Sequence, residues 1–282
     1  MAVQRIKTEE FILKKWFITC SIIFIAFIIN IPFINAVWTS FKSDGDITTF
    51  PPEFIFKPVF DHFTEILFGV RYDFPAFFLN SMILSISTSI IVILITLPSA
   101  YSIVRLKFGS RKLLGFTAGL RLFPPIVFAI PYFILFQFVG LVDTLAGLVL
   151  MNTFLNIPLG LLLLVGFLKD IPAEIEDSAK MDGCSVYMIL WKIIVPLMRP
   201  GILSVGILTF IFTWNDYLFA LIVSLDSSTP VTLGATMFIT SYGIEWGNVA
   251  AVTVLSVMPP LLFVLIAQKY LVSGLSMGAV KG

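Results

Sequence analysis

Long apolar runs separated by short polar segments are the dominant pattern of this chain. A helix needs about 20 predominantly apolar residues to cross the hydrocarbon core of a bilayer. Backbone N–H and C=O groups cannot stay unpaired in lipid, so each such run is expected to be a helix. The predicted fold class is therefore an all-α membrane protein with six transmembrane helices, at 16–41, 77–104, 113–142, 144–168, 201–225 and 246–268.

The third of these runs is unlike the others. It contains Arg121, a rare charged residue inside a span, and it holds three prolines that predict a kinked or broken helix, namely Pro124, Pro125 and Pro131. Only the link 141–143 separates this run from the fourth, which requires a tight helical hairpin. We interpret Arg121 as lying near the cytoplasmic end of its span, from where it snorkels to the surface.

Composition agrees with a membrane protein. The 282 residues are 58% hydrophobic and 12% charged, whereas a soluble domain carries about 25% charged residues. The mean hydropathy of +1.01 suits a chain surrounded by lipid, and the net charge of +1 suggests no nucleic-acid partner. Cys20 and Cys184 do not indicate a disulfide framework. His62, in a polar loop, is interpreted as a surface residue and not as a metal ligand.

Basic residues in the loops predict the orientation, because they favour the cytoplasmic side of a membrane. Of the 18 Lys and Arg residues, 14 fall on the side that holds both termini and three on the other, with Arg121 left in a span. We predict a multi-pass protein of the cell (inner) membrane with both termini cytoplasmic. The segments 42–76 and 226–245 then face outward. Within the first of them, Phe60–Phe68 is amphipathic and is either an interfacial helix or a solvated loop helix.

The predicted cytoplasmic segment 171–196 is unusually polar for a link between two spans. Pro172 suits the first turn of a helix, and the acidic residues after it complement the positive end of the helix dipole. Gly183 suits a left-handed stop, and Ser185 can cap a second helix that Pro196 limits. We predict a short exposed helix, a sharp turn and a second helix. The first helix fits either a groove on a soluble partner or the lipid headgroup surface.

This segment resembles the cytoplasmic loop of permease subunits of ATP-binding-cassette (ABC) importers. The pattern of that loop is E-A-A, three residues, G, nine residues and I-x-L-P. Here Asp177-Ser178-Ala179 matches the triplet, Gly183 the glycine, and Ile193-Ile194-Val195-Pro196 the end. Both spacings hold, and the departures, Asp for Glu, Ser for Ala and Val for Leu, are mild.

The wider sequence is similar to the carbohydrate-importing, maltose-type branch of that family over nearly the whole chain. The matching stretches are IPAEIEDSAKMDG in the loop, Asn80-Ser81, Trp214-Asn215-Asp216 and the tail 274–282. The resemblance implies a type I ABC importer permease fold with a coupling helix between spans four and five. The implied parts are a cytoplasmic N-terminal segment (1–15), a six-helix permease domain (16–272) that includes the coupling loop (169–200), and a cytoplasmic tail (273–282).

The resemblance also implies partners. It implies a second homologous permease subunit, a dimer of ATP-hydrolysing nucleotide-binding subunits with their ATP and Mg, an extracellular solute-binding protein, a sugar-like substrate and membrane lipid. The residues expected to couple to the ATPase are Glu174, Glu176, Asp177, Ser178, Ala179, Met181, Asp182 and Gly183. The chain has no G-x-x-x-x-G-K-[ST] phosphate loop, so we expect a non-catalytic subunit without a cofactor or metal of its own.

Polar side chains within the spans indicate where a solute passes, because such groups usually face a cavity. Asn152 and Asn156 lie one turn apart on the fourth span. Asn215 and Asp216 lie at a similar depth on the fifth, and a shared water-filled cavity would satisfy both pairs. Amides and a carboxylate suit sugar hydroxyl groups, and Trp214 can stack on a sugar face. Hydrogen bonding between helices is the other interpretation of these residues.

An ion-coupled secondary transporter of a small solute is the alternative function. Such carriers usually bury ionisable residues that bind protons or sodium, and only Arg121 and Asp216 lie inside the predicted spans. A membrane enzyme would need a cluster of catalytic or metal-binding side chains. One histidine and two scattered cysteines do not supply one.

Overall fold

Helices dominate the computed structural model, as the sequence predicts. It describes residues 2–69, 71–241 and 243–277, with side chains at 14–69, 71–109, 112–241, 243–266 and 268. Residues 278–282 of the predicted cytoplasmic tail lie outside the described residues. The described residues within 1–71 and 238–255 form one compact unit, and those within 72–237 and 256–282 form another.

The secondary structure consists of helices and one short pair of strands. In chain order the elements are α1 (Ala2–Thr39), α2 (Asp44–Thr48), α3 (Asp61–Phe68), α4 (Phe74–Val104), α5 (Ser110–Leu120), α6 (Ile126–Val139), α7 (Leu145–Lys169), α8 (Glu174–Met181), α9 (Val186–Ile189), a π-helix (Leu190–Ile194), α10 (Val195–Leu197), α11 (Arg199–Trp214), α12 (Leu218–Val223), α13 (Val231–Gly234), a 3-10 helix (Ala235–Phe238), β1 (Ile239–Thr240), β2 (Gly243–Ile244) and α14 (Trp246–Met277). The two strands are antiparallel, with Ile239 opposite Ile244.

The first unit contains α1, the loop with α2 and α3, the strand pair and the start of α14. The helix predicted at Phe60–Phe68 is present as α3, and it buries His62 and Ile66. The burial of His62 corrects the interpretation of that residue as a surface histidine. Its Nε2 lies 2.8 Å from the carbonyl oxygen of Lys42, and its Nδ1 lies 3.0 Å from Oδ1 of Asn248. A buried imidazole needs such polar partners, and they come from segments that are remote in sequence.

The second unit is built around α4, α7 and α11, which pack on one another. Helices α4 and α7 lie close together at Gly160, where a Cβ would lie 3.0 Å from the side chain of Val92. Small residues let membrane helices approach closely in this way. Gly201 at the start of α11 is similar, since a Cβ there would lie 2.6 Å from the ring of Phe167.

Several helices meet the requirements for crossing a membrane. By length and composition, four helices of the described residues qualify: Lys14–Thr39, Phe74–Val104, Leu145–Lys169 and Trp246–Ile266. A fifth results if the pair Val186–Leu197 and Arg199–Trp214, which is bent by 76°, counts as one span. The chain is therefore a multi-pass membrane protein, and the count of six spans stays a prediction.

The third apolar run is broken, as its prolines predict. It forms α5 and α6, and Pro125 is the residue that precedes α6. Pro124 and Pro125 have no backbone N–H to donate and their rings clash with a preceding helical turn. The 14 residues of α6 are too short to meet the spanning criterion by themselves.

The fifth apolar run is not the continuous helix predicted at 201–225. The helix stops at Asn215, whose side-chain amide donates to the carbonyl oxygen of Ile211 at 2.8 Å. It restarts after Asp216, whose carboxylate accepts from the backbone N–H of Phe219 at 3.4 Å. Short polar side chains of this kind compete with the helical hydrogen bonds of the backbone. The same two residues that suggested a solute path therefore interrupt the span.

The tight hairpin between α6 and α7 is present and is held by Asp143, which has a φ of 55°. Its carboxylate accepts hydrogen bonds of 3.0 to 3.1 Å from four successive backbone N–H groups, those of Leu225, Asp226, Ser227 and Ser228. Burial disfavours the ionised form, but these N–H donors outweigh burial and hold the pKa of Asp143 well below its usual range. We call Asp143 and residues 225–228 the Asp143 clamp.

Candidate coupling loop and solute path

The segment 171–196 folds locally as the sequence predicts, with a helix, a turn and a second helical stretch. Three acidic residues occupy the first turn of α8, where they complement the helix dipole. Gly183 ends the turn with a φ of +80°, a conformation that costs a residue with a Cβ about 1–2 kcal/mol. Ser185 caps the second stretch, because its hydroxyl oxygen accepts from the N–H of Met188 at 3.3 Å.

Two details of this segment differ from the prediction. Pro172 lies before α8 and not in its first turn, because the carbonyl oxygen of Ile171 accepts from Arg105 at 2.7 Å and not from the helix. The second stretch is also not one regular helix, since α9 passes into a π-helix before α10. Pro196 has no N–H to donate to the carbonyl four residues earlier, which loosens the hydrogen bonding there.

Six of the eight residues predicted to couple to an ATPase are exposed, namely Glu174, Asp177, Ser178, Met181, Asp182 and Gly183. Met181 is 89% exposed, and Ile175 and Tyr187 add further apolar surface. Lys180 and Asp177 form an exposed ion pair of 2.8 Å on the same helix. An exposed helical surface that combines apolar and charged groups suits docking into a groove of a partner.

The other two predicted coupling residues, Glu176 and Ala179, lie inside the protein. Glu176 is only 1% exposed. Its carboxylate forms an ion pair with Arg105 and accepts a hydrogen bond from the hydroxyl of Tyr101 at 2.9 Å. Ala179 belongs to the hydrophobic core that α4 and α7 form with the segment 171–196. The face of α8 that carries these two residues is thus an internal anchor and not a docking surface.

Arg105 extends this anchor to two more segments. Its guanidinium donates to the carbonyl oxygens of Ile171 at 2.7 Å and Leu168 at 3.3 Å. We call Arg105, Glu176, Leu168, Ile171 and Tyr101 the Arg105–Glu176 network. Sequence patterns do not predict this network, because Arg105 counts there only as one of the basic residues on the predicted cytoplasmic side. The available signal was the four-residue spacing from Tyr101, which puts both polar groups on one face of α4.

Three of the predicted solute-path residues come together around a cavity of about 550 Å³. The polar groups that line it belong to Arg121, Asn152, Asn156 and Asp216, and aromatic walls come from Phe123, Phe128, Phe154 and Phe212. The amide of Asn152 donates to the carboxylate of Asp216 at 3.2 Å. The amide of Asn156 donates to the carbonyl oxygen of Asn152 at 2.9 Å. The arrangement presents both donors and acceptors next to aromatic surface.

The other two predicted solute-path residues lie elsewhere. Trp214 is buried, and its indole N–H donates to the carbonyl oxygen of Ser256 at 3.1 Å. Its ring stacks on Phe210, with 5.6 Å between the ring centroids. Asn215 is exposed and bonds to its own helix. Neither residue lines the cavity described above.

Arg121 is a cavity residue that the sequence analysis missed. It follows the last residue of α5, and its guanidinium carbon lies 5.8 Å from the centroid of the Phe212 ring, within the range of a cation–π interaction. The side chain of Arg121 is also exposed, so the interpretation that it snorkels to the surface stays a prediction. The signal was the pair Pro124 and Pro125, because they predict a break in the helix, and the residues at this break, Arg121 and Pro125 among them, line the cavity.

Comparison with known proteins identifies a matching family model. The model for the binding-protein-dependent transport system inner membrane component matches residues 93–277. That range includes α7, α8 and the cavity residues.

Individual relatives are similar over most of their length. A probable ABC transporter permease protein of Sinorhizobium fredii is 33% identical, covering 91% of this chain and 92% of the relative. A trehalose/maltose transport system permease protein of Thermococcus litoralis is 32% identical, covering 97% and 99%. A trehalose transport system permease protein of Mycobacterium tuberculosis is 35% identical, covering 79% and 82%.

A solved structure shares the fold. It is a chain of a bacterial ABC transporter involved in the import of the acidic polysaccharide alginate. The TM-score is 0.76 at 21% sequence identity, and the alignment covers 89% of this chain and 94% of that chain. The agreement over both chains indicates that the two proteins have the same arrangement of helices.

Proposed function

Since the chain belongs to the family of binding-protein-dependent transport system inner membrane components, we propose that it is a permease subunit of an ABC importer for a sugar or a related polyhydroxy solute. The observation that carries this proposal is the exposed face of α8, which ends at the left-handed Gly183. That face lies in the segment whose spacing matches the importer loop. We propose that it is the coupling helix and docks on an ATP-hydrolysing subunit.

The proposed partners follow from this role. We expect a second homologous permease subunit, a dimer of nucleotide-binding subunits and an extracellular solute-binding protein. ATP and Mg would be held by the nucleotide-binding subunits, since the chain has no phosphate loop. In this proposal the chain is non-catalytic and transmits movement. ATP binding must favour one of two permease conformations over the other for that movement to drive transport.

The proposed topology has six spans with both termini in the cytoplasm. The excess of Lys and Arg on one side supports it. The broken third and fifth runs then cross the membrane as helix pairs, α5 with α6 and α11 with α12. Interrupted helices are tolerated in membranes where the freed backbone groups line a cavity or find partners in neighbouring helices. Asn215 and Asp216 supply such partners at one break.

The proposed cargo is a sugar-like solute that passes the cavity beside α7. The names of two of the relatives, which refer to trehalose and maltose transport, support this class. The cavity supports it as well, because Arg121 and the amides of Asn152 and Asn156 are donors and Asp216 is an acceptor. Aromatic rings beside them suit the apolar faces of a sugar ring. We propose that Asn152, Asn156 and Asp216 contact the solute, whereas Trp214 and Asn215 support the helix break.

An ion-coupled secondary transporter is less well supported. It would use buried ionisable groups to bind protons or sodium, and among the described residues that line the cavity Asp216 is the one carboxylate. The family match and the importer spacing around Gly183 favour the ABC importer. Uptake by this chain without partner subunits, driven by an ion gradient, would support the carrier instead.

The experiment that tests the coupling role replaces Gly183 with valine in the complete importer reconstituted in vesicles. No atom lies within 4 Å of a Cβ at this position, so the change strains the backbone by about 1–2 kcal/mol without a steric clash. We expect ATP-driven uptake and solute-stimulated ATP hydrolysis to fall together. Gly183→Asn is the matched control, because asparagine tolerates positive φ.

Each result has a defined meaning for the coupling role. Activity retained by Gly183→Asn and lost by Gly183→Val ties coupling to the left-handed turn. If Gly183→Val assembles and keeps both activities at the wild-type level, α8 is not the coupling element and the proposal is wrong.

A further inference from the structure

We propose that Arg105 and Glu176 are positioning residues that join α8, the end of α7 and the end of α4 into one rigid body. This inference rests on the proposed function and extends it from the docking surface to the opposite face of the same helix. Movement imposed on α8 by a partner would then reach α4 and α7 directly. Tyr101 is the third residue of this connection between the helices, which we call a joint.

The burial of the ion pair supports a role in geometry. The side chains of Glu176 and Arg105 are only 2% and 15% exposed. A buried ion pair adds little stability compared with apolar residues of similar volume, because both charges lose their hydration. It does impose a specific arrangement, since any displacement of α8 from α4 would leave a charge without its partner. The pair therefore resists relative movement more than it promotes folding.

The hydrogen bonds of Arg105 show which segments are joined. One guanidinium reaches the carboxylate on α8, the carbonyl oxygen of Leu168 on α7 and the carbonyl oxygen of Ile171 in the link between them. The planar fork of arginine fixes the directions of all these bonds at once. A lysine has one ammonium group on a flexible stem and cannot reproduce them.

Apolar packing beside the ion pair adds further contacts between α8 and the helices α4 and α7. Ala179 follows Glu176 by three residues, so the two share one face of α8. It contacts the core cluster that contains Leu97 and Tyr101 of α4 and Leu164 and Leu168 of α7. By contrast, the link out of α8 has Gly183 at positive φ and continues into a π-helix. The hydrogen bonds and ion pair of Arg105 thus join α8 to α4 and α7, whereas the helix that follows is joined to α8 by the turn at Gly183 and by shared apolar packing.

The test measures solute transported per ATP hydrolysed by the complete importer in vesicles. Three variants are compared with the wild type: Glu176→Gln, Arg105→Lys and Tyr101→Phe. Lys192→Gln serves as the control, because Lys192 is an exposed basic residue in the same loop. We expect ATP hydrolysis to persist in all assembled variants. We expect the solute-to-ATP ratio to fall about threefold or more for Glu176→Gln and Arg105→Lys, as for other mutations within coupling networks.

The smaller change Tyr101→Phe keeps the result decisive if the charge variants do not assemble. It removes only the hydroxyl that donates to Glu176, and we expect the same loss with a smaller amplitude. If all assembled variants keep the wild-type ratio, so that uptake and hydrolysis change only with the amount of complex, the joint is merely structural and the inference is wrong. A wild-type complex without ATP-driven uptake would overturn the proposed function itself, which is a different outcome.

Discussion

Two carboxylates hold helices together at two places in the second unit, and they do so by different chemistry. Glu176 is buried and bonds mainly to Arg105, a full positive charge. Asp143 bonds to four backbone N–H groups of residues 225–228. Both joints connect segments that are far apart in sequence. They differ in what remains when one partner is removed.

Removing a partner of Glu176 leaves a buried charge, whereas changing Asp143 leaves neutral amides. An uncompensated buried charge is among the most destabilising defects in a protein. An unpaired amide near the surface loses less, because water replaces the missing acceptor. The number of hydrogen bonds therefore does not decide which joint loses more stability when it is disrupted, although the Asp143 clamp has more of them. The loss depends on whether the substitution leaves a charge buried without its partner.

The largest effect is expected from Arg105→Met. This change leaves the carboxylate of Glu176 buried with only the hydroxyl of Tyr101 as a close partner in the network. We expect the purified protein to lose about 3–5 kcal/mol of unfolding free energy. Chemical unfolding in detergent measures this loss against the wild type.

The double variant Arg105→Met with Glu176→Gln is the control for that loss. It removes both charges, so it should recover most of the stability, as replacement of whole buried ion pairs usually does. A double variant as unstable as Arg105→Met would show that the bonds to Leu168 and Ile171 matter more than the charge. The contrast between the two joints would then be wrong.

The two joints also show what sequence patterns can reveal. The lengths of the apolar runs predict spans at 77–104 and 144–168, and these bounds agree closely with those of α4 and α7. Local signals of the same kind predicted the turn at Gly183 and the cap at Ser185. These features can be predicted because each depends on residues that are neighbours in the chain.

The joints themselves depend on residues remote in sequence. Arg105 and Glu176 are separated by 71 positions, and the clamp joins Asp143 to Ser228 across 85. No periodicity relates such pairs, so the sequence pattern does not indicate that Glu176 is buried beside Arg105. The sequence predicts only part of the cavity lining, namely Asn152, Asn156 and Asp216, because these are polar residues inside apolar runs. The prolines predict the break beside Arg121, but whether Arg121 lines the same cavity as Asn152 and Asp216 depends on tertiary packing.

An intermediate effect is expected from Asp143→Asn. Asparagine tolerates the positive φ at this position, so the change tests the charge without backbone strain. The amide keeps one acceptor oxygen but points an NH2 group at backbone donors, which should cost about 1–3 kcal/mol. Chemical unfolding in detergent again provides the measurement.

Asp226→Asn is the matched control for the Asp143 clamp. Asp226 is an exposed carboxylate in the same segment, and its contribution to the clamp is its backbone N–H, which the substitution retains. We expect a change within about 0.5 kcal/mol, as for most surface substitutions. Equal losses for Asp143→Asn and Asp226→Asn would mean that the general negative charge of the loop matters and not the clamp.

The smallest effect is expected from mild acid, and it separates the clamp from an ordinary surface carboxylate. The pKa of Asp143 is lowered by its N–H partners in the folded state, so its stabilising contribution is complete above the unfolded pKa of about 4. That contribution is lost only as the pH falls through the lower folded pKa. The difference in thermal midpoint between wild type and Asp143→Asn should therefore be the same at pH 7 and pH 5, and should shrink only below pH 4. A difference that stays constant from pH 7 down to about pH 2 would mean that the pKa of Asp143 is the same in the folded and unfolded states, and that the four N–H donors do not stabilise its charge.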